Sequence, residues 1–427
     1  MSIQEEKKYR GRVVDAAIKE ALDVIGAVVI EGAKWCGKTT TAREHAKSEL
    51  LLADPAAMQQ YQQLADVAPG TLLEGENPRM IDEWQLAPKL WDAIRYDVDT
   101  RDAPGLYLLT GSSTPPKTEQ IFHSGAGRFA WIKMRPMSLM ESGESNGAMS
   151  LAALFRAEPG MSARGTLKDI YELAFVACRG GWPKAVTIGG EKSLRLAFDY
   201  LDAVVRSDVS RVDEVRRDAE RALKLMRSLA RNQASQVSDE TILADMGEDA
   251  GSMPTIKSYI SVLNRIFVVE NSLAWNPNLR SKTAIRTSDT HYFTDPSIAV
   301  AALGMGPADL INDIKTFGLI FETLAVRDLR VYAEALGGTV YHYRDKTGLE
   351  CDAVVHLRDG RYGLVEVKLG GNEAIEEGAA ALGTLTERID DTKMPQPSFA
   401  MVLTGVGEYA YQRKDGVFVV PIGCLGV

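Results

Sequence analysis

Apolar residues along this chain gather into short solid runs and into mixed stretches, and the two patterns predict different elements. Ala27 Val28 Val29 Ile30 and Leu106 Tyr107 Leu108 Leu109 are uninterrupted, as expected of buried strands. Arg79 Met80 Ile81 Asp82 Glu83 Trp84 Gln85 predicts a shorter strand that ends in paired acids. In the last third, Glu350 Cys351 Asp352 Ala353 Val354 Val355 His356 Leu357 and Tyr362 Gly363 Leu364 Val365 Glu366 Val367 Lys368 predict the two arms of a hairpin around Asp359 Gly360. Residues 317–325 sit in a helical run stopped by Gly337 Gly338. Residues 206–231 read as one helix of mixed charge, whose alternating signs suit a solvated face. After it come a short helix at 239–246, a turn at 247–251, a helix at 252–266 opened by Ser252 and Pro254, and strands beginning at Phe267 and Thr290. Helix, turn, helix and two-stranded wing is winged-helix order. Residues 141–149 read as a loop.

The first apolar run leads directly into Gly32 Ala33 Lys34 Trp35 Cys36 Gly37 Lys38 Thr39, which satisfies G-x-x-x-x-G-K-[ST] at every position. Glycines let successive N–H groups turn inward around phosphates, and the helix beginning near Lys38 aims its positive end at the same anions. The chain is therefore expected to bind ATP through residues Gly32 to Thr39 and Thr40, with Lys38 reaching the β- and γ-phosphates. Thr39 would place its hydroxyl on Mg²⁺. In a Walker B role Asp82 would hold the metal's water and Glu83 would polarise the attacking water. The strand ending Thr110 Gly111 Ser112 Ser113 offers polar groups at the same level, with Ser112 or Ser113 favoured over Thr110. Arg128 is the candidate to stabilise a neighbouring subunit's γ-phosphate with its planar, permanently charged fork, and Arg135 is the second choice.

A second constellation lies on the predicted hairpin. Two carboxylates, Asp352 and Glu366, could hold a divalent ion against a phosphodiester, and Lys368 could orient water or offset charge. Glu366 and Lys368 share a strand face, so Asp352 must join it. A two-residue turn at Asp359 Gly360 pairs Asp352 with Val367 and sends it to the other face; a three-residue turn over 359–361 pairs it with Lys368 and builds the site. In the winged-helix-like stretch Thr255, Lys257 and Ser258 could face a DNA groove, with Arg280, Lys282 and Arg286 near phosphates. Such modules also bind proteins.

Composition limits these readings. With 49 basic and 58 acidic residues the formal charge is −9, not the footprint of a chain that coats nucleic acid, so any DNA site is a local basic stripe. The 427 residues and 45% hydrophobic content leave room for about two to four domains with buried cores. Cys36, Cys178, Cys351 and Cys424 have no paired spacing, which argues against a disulfide framework or zinc site. The polar N-terminus and the lack of any run near the ~18 to 20 apolar residues of a membrane span predict a cytoplasmic protein.

Taken in order, the phosphate loop, Asp82 Glu83 Trp84 Gln85, the strand end at 110–113, Gly127 Arg128 and Gly180 Gly181 Trp182 Pro183 resemble the prokaryotic AAA+ ATPases that carry a C-terminal nuclease-like domain. In such ATPases the 110–113 strand end carries the first sensor. Asp352 with Glu366-x-Lys368 resembles the PD-(D/E)xK nucleases, and Glu322 resembles the helix-borne acid of their resolvase-like members. The resemblance implies an α/β fold: a P-loop AAA-type ATPase core at 1–150, a helical lid at 151–235, a winged-helix module at 236–303 and a nuclease-like α/β domain at 304–427. It implies homo-oligomeric rings and a role on DNA, tilted towards branched DNA, without assured cleavage. Competing readings are a nucleotide-dependent switch that assembles protein partners on an inactive nuclease fold, and a metal-dependent nuclease gated by ATP.

Overall fold

The computed structural model describes residues 9–113, 125–158, 162–167, 169–211, 215–235, 237–275, 290–390, 392 and 394–427. They form two compact units, the first built from Met1–Pro136, Ser210–Val215 and Arg265–Phe267, the second from Met137–Val209, Arg216–Asn264 and Val268–Val427. None of the described helices is long and apolar enough to cross a membrane. The predicted DNA contacts Arg280, Lys282 and Arg286 lie outside the described residues.

The first unit runs α1 (Val14–Val24), β1 (Ala27–Glu31), α2 (Lys38–His45), β2 (Ser48–Leu51), β3 (Arg79–Asp82), β4 (Tyr107–Gly111) and β5 (Phe129–Lys133), with further helices between β2 and β4. The strands form one parallel sheet in the order β2-β3-β4-β1-β5. The solid apolar runs belong to β1 and β4, which are hydrogen-bonded on both sides and buried. On one face Val29, Ile81, Leu109 and Phe129 pack with Trp84, Trp91 and Ile94, and the Trp91 and Phe129 rings stack at 3.8 Å. Because all five strands run the same way, the chain leaves β1, β3 and β4 at a common edge. That edge collects the phosphate loop, the acid pair and the 110–113 strand end.

The second unit contains β6 (Met149–Ser150), β7 (Ala163–Arg164), β8 (Val269–Ser272), β9 (Thr290–Phe293), β10 (Gly338–Arg344), β11 (Glu350–Leu357), β12 (Tyr362–Lys368), β13 (Phe399–Thr404), β14 (Tyr409–Gln412), β15 (Phe418–Pro421) and β16 (Leu425–Gly426). Its main sheet has the order β10-β11-β12-β13-β15-β14-β7 and is mixed, with β12, β13 and β15 parallel and the remaining neighbours antiparallel. Helices Asp239–Met246 and Met253–Arg265 precede the antiparallel pair β8 and β9. The helix Ile314–Ala335 carries the 317–325 run and ends ahead of Gly337.

Two local expectations are corrected. Residues 206–231 are not one helix: a π-helical turn over Val204–Asp208 passes into Val209–Arg211, and a new helix, Ala219–Arg231, starts where Asp218 caps the Arg221 N–H. Nor is its charge all solvated, since Arg217 is buried and donates to Val209 O at 2.8 Å and Ser258 Oγ at 3.1 Å. The 141–149 loop also holds more order than its composition suggests, because Ser138 and Glu141 close a capping box on the short helix Leu139–Ser142.

The Gly180 Gly181 Trp182 Pro183 motif has a structural explanation. Gly180 has φ +72, and a Cβ there would lie 2.3 Å from Asp295 Oδ1; at Gly181 a Cβ would lie 2.1 Å from Met137 O. The close approach lets Asp295 accept the Gly181 N–H and lets Trp182 Nε1 donate to Ser297 Oγ, both at 2.9 Å. Arg327, 2% exposed, donates to Asp295 Oδ2 and Asp328 Oδ1, while Asp328 Oδ2 accepts the Leu139 N–H at 3.0 Å. Burial pushes the Asp328 carboxyl up to about 6 despite its arginine partner. This is a buried ionic clasp in the second unit.

Candidate nucleotide site and C-terminal carboxylate cluster

Gly32 closes β1 with φ +154, and a Cβ there would meet Met134 O at 2.0 Å, so a side chain is excluded. Trp35 is held at φ +67 and Gly37 at φ +106, turning the loop before α2 begins at Lys38. Lys38 Nζ arches back over the loop and donates to Gly32 O and Ala33 O, each at 2.9 Å. Ala33 and Cys36 are buried, Lys34 and Gly37 are partly covered, and Thr40 faces solvent on the first turn of α2.

Two strand ends, those of β3 and β4, then meet the loop and the start of α2. Thr39 Oγ1 donates to Asp82 Oδ1 at 2.8 Å, and Thr110 Oγ1 donates to the same oxygen. Thr110 Oγ1 also accepts the Glu83 N–H at 3.3 Å. Glu83, at φ +55, turns its carboxylate towards Ser112 Oγ, which donates at 3.0 Å, and it is also bonded by Gln85 Nε2. Thr110 and Ser112 are two residues apart and so share a face of the β4 strand end. Thr110, placed behind Ser112 and Ser113 in the sequence reading, touches both acids. Ser113 follows, partly covered.

Arg128 stands elsewhere. β5 pairs with β1 in the register Ala27 with Phe129, and Arg128 O accepts the Ala27 N–H at 3.1 Å. It is therefore at the start of β1, whereas the phosphate loop leaves its end, about 16 Å away at the usual rise of a strand. Its Nε donates to Asp99 Oδ1 at 2.6 Å on the surface. Arg128 cannot serve the phosphates bound by its own loop. Arg135 is buried, and its carbonyl accepts from Arg12 at 2.8 Å.

The hairpin takes a register that differs from both sequence alternatives. Ala353 pairs with Val365 and His356 with Tyr362, and Leu357 and Arg361 close the turn, so the loop is Arg358 Asp359 Gly360. Continued by one step, that register sets Asp352 opposite Glu366, on the face shared by Glu366 and Lys368. Asp352 Oδ2 accepts the Val367 N–H at 2.7 Å, and Lys368 Nζ lies 3.4 Å from Glu366 Oε2. The helix Asn372–Glu387 packs over this face at Gly378, where a Cβ would lie 3.3 Å from Val402 Cγ2 and in ordinary contact with Glu366 Cβ and Lys368 Cε. Glu322 comes from the helix Ile314–Ala335 and accepts the Tyr292 hydroxyl at 2.7 Å.

Burial, followed by repulsion from Asp352, raises Glu322 well above the usual carboxylate range. The same causes in the same order push Glu366 up to about 8, and burial raises Asp352. Four sequence-predicted groups are thus brought into one electrostatic neighbourhood. Among the described residues, however, no three His, Cys, Asp or Glu side chains converge as a metal-holding group. Tyr292 lies in the strand beginning at Thr290, and an isolated tyrosine there gives no sequence signal for a partner 30 residues away.

The helix Met253–Arg265 presents Thr255, Lys257 and Ser258, each already engaged within the chain. Thr255 Oγ1 is 3.0 Å from Ser252 Oγ, Lys257 Nζ is 3.5 Å from Asp239 Oδ2, and Ser258 accepts from Arg217. A cleft beside Lys257 is lined by Asp239, Glu240, Asn264, Asn271 and His291 and has a volume of about 450 Å³.

A phosphate loop between a central parallel strand and its helix, with hydroxyl-bonded acids at the end of β3 on the same sheet edge, defines a P-loop ATPase module. Comparison with known families agrees for the same segment, since residues 25–142 match the family described as AAA domain. Residues 170–309 and 317–425 match two families described as domains of unknown function, DUF8612 and DUF4143. Two uncharacterized proteins, of Mycobacterium bovis and Mycobacterium tuberculosis, are each 22% identical over 409 residues, covering 95% of this chain and 82% of theirs. Among solved structures, a Walker-type ATPase of Pyrococcus abyssi aligns with a TM-score of 0.42 and 14% identity over 70% of this chain and 97% of that one.

Proposed function

We propose that the first unit binds and hydrolyses ATP and that its turnover drives work on DNA held by the second unit. The observation that carries the ATPase reading is the convergence of Thr39 and Thr110 on Asp82 and of Ser112 on Glu83 beside the loop. In this reading the loop N–H groups and Lys38 take the phosphates, Lys38 exchanging its loop carbonyls for phosphate oxygens. Glu83, oriented by Ser112 and Gln85, polarises the attacking water as Walker B acids do. Thr39 and Asp82 are the residues that would hold a magnesium ion, which when bound offsets charge on the phosphates. In this reading Arg128, whose register on the sheet keeps it from its own loop, is offered to a neighbouring subunit of a homo-oligomer, in the manner of ring ATPases.

For the second unit, the gathering of Glu322, Asp352, Glu366 and Lys368 supports a nuclease-like α/β fold acting on DNA, with branched DNA as the substrate implied by the resolvase-like pattern. The test is ATP turnover with single-stranded, duplex and four-way-junction DNA, with strand cleavage followed on gels of the same samples. Stimulation greatest on junctions is expected. A second reading, a nucleotide-dependent protein-assembly switch on a non-catalytic scaffold, is favoured by the engagement of Lys257 and Ser258, expected at a DNA groove, with Asp239 and Arg217 of the same chain. It predicts no DNA stimulation and turnover raised by a protein partner instead.

A further inference from the structure

Arg12 stands just ahead of α1 and is 8% exposed. Its guanidinium donates to Cys36 O, inside the phosphate loop, at 2.9 Å and to Arg135 O, just past β5, at 2.8 Å. Its own N–H donates to Asp15 Oδ2 at 2.7 Å. The Tyr9 hydroxyl lies 2.8 Å from Asp15 Oδ1 and 3.1 Å from Thr41 Oγ1 on α2, and His45 Nε2, also on α2, is 2.9 Å from Asp15 Oδ1. Residues 9–15 therefore brace both the loop and the helix that follows it. The second anchor is itself tied to the loop, because Met134 donates its N–H to Glu31 O at 2.7 Å and Met134 O lies 3.4 Å from Cys36 Sγ.

The Cys36 carbonyl and the Gly37 N–H belong to one planar peptide unit, and in the trans form they point to opposite sides. A donor that pins the carbonyl outward fixes the direction of that N–H. We propose that Arg12 is a positioning residue of the nucleotide site: by bridging Cys36 O and Arg135 O it holds the Gly37 N–H turned inward for phosphate before the nucleotide arrives. The proposal rests on the ATP-binding reading above. Cys36 O and Arg135 O are met by the two different terminal nitrogens of one rigid planar guanidinium, a spread that the single nitrogen of a lysine ammonium lacks. The phosphate-loop pattern makes no demand on a residue 24 positions upstream of Cys36.

The test compares wild type, Arg12→Ala and Arg12→Lys by titration with a fluorescent ATP analogue, by ATP turnover and by thermal unfolding. Arg12→Ala is expected to raise Kd and KM about tenfold, the scale of a lost charge-assisted hydrogen bond. At saturating ATP its kcat should stay within about twofold of wild type, as expected when ground and transition states lose the same binding. Arg12→Lys should regain unfolding temperature without regaining affinity, and it carries the test alone if Arg12→Ala fails to fold. Wild-type Kd in Arg12→Ala, or affinity restored together with stability in Arg12→Lys, overturns the proposal and leaves Arg12 a structural residue. Wild-type protein that binds no nucleotide overturns the underlying ATP reading, whereas tight wild-type binding with unchanged variants overturns this proposal alone.

Discussion

The nucleotide site and the C-terminal cluster both gather carboxylates, yet they supply them differently. Asp82 receives two hydroxyls and Glu83 receives Ser112 and Gln85, from groups at one open edge of a parallel sheet. In the second unit Glu322 has the Tyr292 hydroxyl, Asp352 has one backbone N–H and Glu366 has Lys368. There burial outweighs the donors, and all three carboxyls are raised. The first arrangement is ready for a charged ligand to join it, while the second holds mutual repulsion that a cation or a phosphate-bound counter-charge would relieve.

The largest expected effect falls on the first site. Glu83→Gln should retain ATP binding and slow turnover by roughly 1,000-fold, the range of a lost general base. Single-turnover assays with labelled ATP check it, and near wild-type turnover would move the water-positioning role to another group. Lys38→Ala should weaken ATP binding by roughly 100-fold through loss of a charge-assisted contact to phosphate. Titration calorimetry reads this directly. Unchanged affinity would break the comparison at its first term, because the loop would then not be a phosphate site.

A smaller effect distinguishes the second site. Glu366 is raised in the folded state, so its contribution to stability is fully present below the ordinary carboxylate range and is lost as pH rises through about 8. Unfolding of the wild type in a chelating buffer should therefore become easier across that window. Glu366→Gln, which cannot ionise, should flatten the slope and leave the protein on the order of 1 to 3 kcal/mol more stable at the alkaline end. Glu322 and Asp352 preserve part of the slope. Equal slopes in variant and wild type would show that the burial of Glu366 carries no electrostatic cost.

What could be read from sequence follows the same division. The phosphate loop is contiguous, and its glycines, lysine and threonine are fixed by local backbone geometry, so spacing alone located it. The 110–113 strand end was legible because a solid apolar run marks a buried strand, whereas the acid pair follows only two apolar residues, Met80 and Ile81. Choosing between Thr110 and Ser112 required knowing how far β4 extends past the acids. The C-terminal cluster depended on hairpin register, where one residue changes the face, and the loop settled on Arg358 Asp359 Gly360 rather than either predicted turn. Arg12, Tyr292 and the Arg327 clasp gave no local signal, since each acts on residues brought close only by folding. Charge density misled for 206–231, where Arg217 is buried against backbone and serine rather than solvated.

The smallest effect on the isolated chain belongs to Arg128, and its smallness is the informative part. The residue is exposed and paired with Asp99, an arrangement whose loss surface ion pairs generally tolerate. Arg128→Ala should therefore leave the unfolding temperature and the ATP affinity of the monomer near wild type. Its distance from its own phosphate loop, set by the β1 to β5 register, means that the arginine has no route to the γ-phosphate bound by the same chain. If a neighbour uses it, turnover must fall only under conditions where the protein assembles, and mixing Arg128→Ala with Glu83→Gln chains should restore activity by forming interfaces with one intact loop and one intact arginine. Light scattering alongside turnover at rising protein concentration separates the outcomes. Loss of turnover at dilutions where only monomer is present would show that Arg128 acts through the fold of its own unit, and the trans role would not pass to the second candidate, Arg135, which is buried.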